Sequence, residues 1–115
     1  MSDIIIYHNG RCSKSRGALE ILQEQNIPFE VRWYLTDPLN QKELRALLKK
    51  LGMKASELVR KGEPLYQEQF KDQQLTEKDW LRILAQNPIL IERPIVEKGD
   101  KAIVARPTEK VLAFL

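Results

Sequence analysis

Cys12 is the single cysteine of a 115-residue chain, and its neighbours are of the types that make a thiol reactive. A β-branched run, Ile4-Ile5-Ile6-Tyr7, leads into His8-Asn9-Gly10-Arg11-Cys12-Ser13-Lys14-Ser15-Arg16, and an apolar helical period begins at Ala18, Leu19 and Leu22. The thiol is therefore expected where a strand ends and a helix starts. Arg11, Lys14 and Arg16 flank it, and no acidic residue occurs from Ile4 to Leu19. Helix N-termini and nearby cations both stabilise a thiolate and attract anions. A lone cysteine is more often a small buried hydrophobe. The loop position, the cations and His8 four residues upstream favour a nucleophile instead.

The same residues exclude several chemistries. No intramolecular disulfide can form, so a second thiol must come from another molecule, which points to a reducing compartment. A dithiol oxidoreductase would need cysteine at position 15, where the chain has Ser15. This monothiol pattern can attack but cannot resolve itself. A phosphatase-type loop would need arginine at position 18, which is alanine. No GxGxxG, P-loop or HExxH motif is present. One Cys and one His cannot supply the four ligands of a structural zinc, so no metal is expected. A cysteine-protease dyad with His8 lacks any oxyanion or third-residue pattern.

Composition bounds the rest. A chain of this length, 43% hydrophobic and 30% charged, is expected to be a single soluble domain over residues 1–115. No basic segment precedes an apolar one and no apolar run approaches membrane length, so the expectation is a cytoplasmic protein away from membranes. The net charge of +3 is spread through mixed charges with no dense Lys/Arg run, which favours a small anionic substrate over nucleic acid. Nothing reads as a dedicated interface, and a monomer is expected.

The elements that must position Cys12 follow from periodicity. A strand is predicted at Ile4–Tyr7, a helix from about Ser13 to Gln25, and a second strand from Phe29 to Tyr34. Together they make a βαβ unit with parallel strands. Thr36-Asp37-Pro38 is a turn, and Asn40 is the predicted N-cap of a helix through Leu44, Leu47, Leu48 and Leu51, closed by Gly52. Residues 55–74 look helical but interrupted at Gly62 and Pro64. Thr76 to Asp79 resembles a capping box ahead of Trp80, Leu81 and Leu84, in a helix that Asn87-Pro88 stops. After the apolar run Ile89-Leu90-Ile91, a hairpin is predicted from Ile95–Lys98 and Lys101–Val104 around Gly99-Asp100. Pro107-Thr108 introduces a last helix through Val111, Leu112 and Leu115. The order β-α-β, several helices, then β-β-α is that of an α/β thioredoxin-like fold with a helical insertion in its middle.

His8-Asn9, the Cys12-x-x-Ser15-Arg16 loop, the stretch from Pro88 to Val96 and the Ala105-Arg106-Pro107 step together resemble the glutaredoxin-coupled arsenate reductase family, in its shorter branch. Tyr34-Leu35-x-x-Pro38 and Leu58-Val59-Arg60-Lys61 also look like their counterparts there, so the resemblance runs from Ile4 to Leu115. It implies that Cys12 attacks the arsenic of an arsenate held by Arg60, Arg93 and Arg106, with His8 helping to activate the thiol. It further implies that glutathione, as co-substrate rather than bound cofactor, attacks the cysteine-bound arsenic, and that glutaredoxin then takes over the glutathione. Pro94 would be the cis-proline that thioredoxin-like folds place opposite their active cysteine. Backbone N–H groups near Ser13, Lys14 and Ser15, with Arg16, would complete the loop.

Blander roles stand beside these. Arg60 would ordinarily be a solvated helix-surface cation, Arg93 and Arg106 could serve as structural ion-pair or capping residues, and Ser13 or Ser15 could simply cap a helix. Trp33 and Trp80 are expected in the core or lining a groove, and Asn9-Gly10 is a turn signal. Two other functions remain open: a monothiol glutathione-dependent redox protein with a different substrate, and a non-catalytic regulator of the same fold that binds RNA polymerase. A disulfide substrate would not need three arginines, and the polymerase-binding branch commonly uses a Cys-x-x-Cys switch that Ser15 breaks.

Overall fold

Period-two alternation in Ile4-Ile5-Ile6 places Ile4 and Ile6 on one face of a strand, and that face is where the first core forms. The computed structural model describes residues 3–106 and 109–115. In chain order it contains strand β1 (Ile4–Tyr7), helix α1 (Ser13–Glu24), strand β2 (Glu30–Arg32) and helix α2 (Gln41–Leu51). A 3₁₀ turn at Ala55–Leu58 then precedes helices α3 (Pro64–Gln69) and α4 (Glu77–Gln86). A second 3₁₀ turn at Pro88–Leu90 is followed by strands β3 (Ile95–Lys98) and β4 (Lys101–Val104) and helix α5 (Lys110–Phe114). Contacts divide the chain into two compact units, Met1–Asp37 with Arg93–Leu115, and Pro38–Glu92.

The first unit is a four-stranded sheet in the order β2-β1-β3-β4. β1 pairs in parallel with β2, Ile6 opposite Val31, and antiparallel with β3, Ile6 opposite Val96. β3 and β4 form the antiparallel hairpin, Val96 opposite Ile103, and Gly99 supplies the left-handed turn residue at φ 60°. Ile4, Ile6 and Val96 pack with Ala18 and Leu22 of α1 and Val111 of α5 in one buried cluster, so both helices cover the same face of the sheet. The expected α/β order, β-α-β then β-β-α around a helical insertion, is what the chain forms. The Pro107-Thr108 step expected to open the last helix lies outside the described residues.

β2 is shorter than the predicted Phe29–Tyr34. The N–H groups of Thr36 and Asp37 turn back onto the Trp33 carbonyl at 3.0 and 2.8 Å, so the chain leaves the sheet before Trp33 and Tyr34 can pair. Their β propensity yields to the turn chemistry that follows them.

The second unit is helical. Leu44, Leu47 and Leu48 on α2 and Leu81, Ile83 and Leu84 on α4 are its buried faces, joined by Leu58 and Leu90 from the two 3₁₀ turns. A bridge between Val59 and Ile91 ties those turns, with Arg60 N–H donating to the Leu90 carbonyl at 2.7 Å and Glu92 N–H to that of Leu58 at 2.8 Å. Pro64 opens α3 as its first residue rather than interrupting a longer helix, because a missing N–H costs nothing there. Thr76 and Asp79 form the expected capping box of α4. Asn40 caps α2, its side chain accepting from Glu43 N–H at 2.8 Å while Glu43 returns a bond to Asn40 N–H, and Gly52 ends the helix at φ 67°. Asn40→Ala is therefore expected to cost about 1 kcal/mol in urea denaturation. An unchanged midpoint would show that the cap does not matter to global stability.

Candidate active site

The loop between β1 and α1 begins where the sheet still holds it, with His8 N–H donating to the Arg32 carbonyl at 2.9 Å. Asn9-Gly10 makes the turn its sequence signals, closed by Cys12 N–H on the Asn9 carbonyl at 3.0 Å. The Asn9 side-chain carbonyl accepts from Arg11 N–H at 3.0 Å. Cys12 is then the N-cap of α1 in extended geometry, making no side-chain cap bond of its own. Its sulfur consequently sits where the first N–H groups of the helix lack intrahelical acceptors.

Ser15 organises this loop. It is fully buried, and its Oγ accepts from Asn9 N–H at 2.9 Å and lies 2.7 Å from His8 Nδ1. Burial, with Arg16 adding and Ser15 opposing, holds His8 below the usual histidine value, so the ring is neutral at pH 7. With a neutral ring, the bond between Nδ1 and the Ser15 hydroxyl forms in either tautomer, since the oxygen can accept from both Asn9 and the ring or donate to Nδ1. Of the two serines considered as caps, Ser13 is exposed and Ser15 fastens His8 and Asn9 to α1. Ser15→Ala is expected to lower stability by ~1–3 kcal/mol, because it orphans a buried N–H. Equal urea midpoints for variant and parent would contradict this role for the hydroxyl.

Burial opposes ionisation of the Cys12 thiol and is the largest single influence on it. The backbone N–H of Ser15, the Arg93 guanidinium and the backbone N–H of Lys14 together outweigh burial and hold the thiol below its ordinary value. The side chains of Arg11, Lys14 and Arg16 are exposed, where water screens their charge, so Lys14 acts through its backbone.

Arg93 comes from far along the chain, immediately before β3. It is 7% exposed, and the Arg93–Pro94 peptide is cis. Its carbonyl accepts from Arg106 Nε at 2.6 Å, and the Pro94 carbonyl accepts from Ala105 N–H at 2.8 Å. The hairpin thereby brings Arg106 to Arg93, while one N–H of Arg106 is committed to holding backbone. Arg60 belongs to the helical unit. Its Nε lies 3.7 Å from a Glu63 carboxylate oxygen, and its Nη1 is buried without a hydrogen-bond partner among the described residues.

Two aromatic residues complete the surroundings. Trp33, expected in a core or groove, is 52% exposed and meets the His8 ring edge-on with centroids 4.8 Å apart. Trp80 is buried beside Tyr66 and Phe70 in the helical unit. Tyr34, read in the sequence as a strand end and as part of a resembling step but not as a site residue, is 1% exposed, and Arg93 and Asn9 act on its hydroxyl. No spacing rule links position 34 to position 93, so its place could not be read along the chain. Among the described residues no three His, Cys, Asp or Glu side chains gather as a metal site, and no helix is long and apolar enough to cross a membrane.

A sheet built from β-α-β and β-β-α units, with a single cysteine at the start of its first helix and an arginine acting on it, defines a thioredoxin-like fold. The chain belongs to the ArsC family, whose model matches residues 7–114. It is 48% identical over 112 residues to the uncharacterized protein YfgD of Escherichia coli (strain K12), covering 96% of this chain and 94% of that one. It is 43% identical over 117 residues, with both chains fully covered, to an arsenate reductase of Neisseria meningitidis serogroup A. The solved structure of an arsenate reductase from Vibrio cholerae superposes with a TM-score of 0.90 at 39% identity, covering 97% of each chain.

Proposed function

We propose that this protein reduces arsenate to arsenite through a covalent Cys12–arsenic intermediate that glutathione and glutaredoxin resolve. The observation that carries the proposal is the Cys12 thiol itself. It is acidified although buried, because helix N–H groups and the Arg93 guanidinium converge on it. Arsenate near neutral pH is largely a dianion, so a thiolate approaching it needs fixed positive charge and N–H donors first. Arginine suits a tetrahedral oxyanion because its planar fork donates paired bonds and stays charged. Arg93 fills that role beside Cys12, and Arg106 and Arg60 are the further arginines assigned to the oxyanion, as the family resemblance implies. His8 acts in this reading through Ser15, holding the loop that presents the helix N–H groups.

The redox balance fits a single cysteine. Attack of the thiolate on arsenic forms an S–As bond and expels one oxygen as water once protonated. Reduction of arsenic(V) to arsenic(III) takes two electrons, matched by oxidation of two thiols to one disulfide. Glutathione displaces a second oxygen from the cysteine-bound arsenic as water, and the glutaredoxin thiol then takes the glutathione sulfur, leaving the electron pair on arsenic. Water cleaves the Cys12–arsenic(III) bond, so Cys12 returns as a thiol and the disulfide joins glutathione to glutaredoxin. The net change is arsenate plus two thiols to arsenite, one disulfide and water. The names of the Neisseria and Vibrio relatives support arsenate as the oxyanion. The assignment of three arginines, Arg60, Arg93 and Arg106, favours this reading over a monothiol enzyme of disulfides, because a disulfide does not need three of them. The test is NADPH consumption with glutathione, glutaredoxin and glutathione reductase present. Oxidation that begins only when arsenate is added supports the proposal, and its absence refutes it.

A further inference from the structure

The Tyr34 hydroxyl is buried and has no hydrogen-bond partner among the described residues, although its side chain is only 1% exposed. Folded proteins seldom leave such a group unpaired, because it has lost its water without replacement. The turn that carries it is well fixed, with two N–H groups on the Trp33 carbonyl. Its polar surroundings are Arg93, Asn9 and the Cys12 sulfur. Arg93 has only donors to offer. The Asn9 side-chain carbonyl is engaged by Arg11 N–H and its backbone carbonyl by Cys12 N–H. The Cys12 sulfur acts on the hydroxyl through its charge and not through a hydrogen bond, so the phenol proton lies in a setting rich in donors with no acceptor bonded to it among the described residues. An oxygen of an anion held against Arg93 would be such an acceptor.

We infer that Tyr34 is a further oxyanion-binding residue, its phenol O–H donating to an oxygen of the tetrahedral anion that Arg93 holds beside Cys12. Burial pushes the phenol above its ordinary value, against the opposing influence of Arg93, so the group keeps its proton near neutral pH. Arsenate as that anion rests on the function proposed above, whereas the hydrogen bond requires only a tetrahedral oxyanion.

The experiment measures protection of Cys12 from iodoacetamide by arsenate, phosphate and sulfate, in the wild-type chain and in Tyr34→Phe. Each protein is compared with its own unprotected rate. Thermal melting of both is recorded without anion. The half-protecting concentration is expected to rise about tenfold in Tyr34→Phe, the loss of one bond to a charged group. The melting midpoint is expected to stay the same or rise, since no bond among the described residues is removed. Equal protection of the two proteins overturns the assignment, as does failure of all three anions to protect the wild type. A clear fall in the melting midpoint also overturns it, by showing that the hydroxyl is bonded within the fold. Protection that weakens in Tyr34→Phe while arsenate drives no NADPH oxidation would keep the assignment and reject arsenate reduction alone.

Discussion

Cys12→Ser is expected to lower arsenate-dependent turnover by at least ~1,000-fold, because a serine hydroxyl does not ionise where this thiol does. The devices that acidify the sulfur, the N–H groups of Ser15 and Lys14 and the Arg93 guanidinium, would all remain in the variant. They would simply act on a group too weakly acidic to respond. The substitution is close to isosteric and Cys12 makes no side-chain cap bond, so α1 and its loop should fold as before. Initial rates in the coupled NADPH assay, with a melting curve to establish folding, give the comparison. A folded Cys12→Ser protein with wild-type turnover would rule out a cysteine–arsenic intermediate.

Arg93→Ala is expected to produce the second-largest loss, about 100-fold in kcat/KM, comparable to removing one donor from an oxyanion site. Two effects should separate by pH. Arg93 is among the groups that hold the Cys12 thiol below its ordinary value, whereas burial pushes it up. Without the guanidinium the balance tips toward burial, so the iodoacetamide rate profile of Cys12 moves to higher pH. At pH 7 the variant then has less thiolate, and raising the pH recovers it. Turnover should recover only in part, because the anion still lacks its arginine. Arg106 is held through the Arg93 backbone carbonyl, which alanine retains, so its position should survive. An alkylation profile that coincides with the wild type would show that Arg93 does not control the thiol.

Much of this site was legible along the chain because its parts are local. The β1–α1 loop depends on residues within a few positions of one another, and Asn9-Gly10, the helix start at Ser13 and the cation-rich setting of Cys12 are all short-range features. The hairpin is equally legible, since the apolar pairs Ile95-Val96 and Ile103-Val104 lie symmetrically about Gly99-Asp100 and leave little choice of register. Where local signals compete, tertiary structure chooses between them. Trp33 and Tyr34 favour a strand, but the Thr36-Asp37 turn takes them out of the sheet. Pro64 looks like a break but occupies the one helical position that tolerates it.

By itself the sequence determined that this protein has one thiol, placed at a strand-to-helix junction and with no second cysteine to pair with it. It also determined the order of elements, because hydrophobic period and turn residues act over a few positions. Only the tertiary structure decided which charge acidifies that thiol. The cations nearest in sequence are exposed and screened, while Arg93, 81 positions from Cys12 by residue number, arrives because β3 pairs with β1. Tertiary structure likewise decided that Ser15 binds His8 and Asn9 rather than capping a helix, and that Tyr34 is buried with its hydroxyl unpartnered among the described residues. Electrostatic effects depend on distance and burial, and neither quantity exists until the chain has folded.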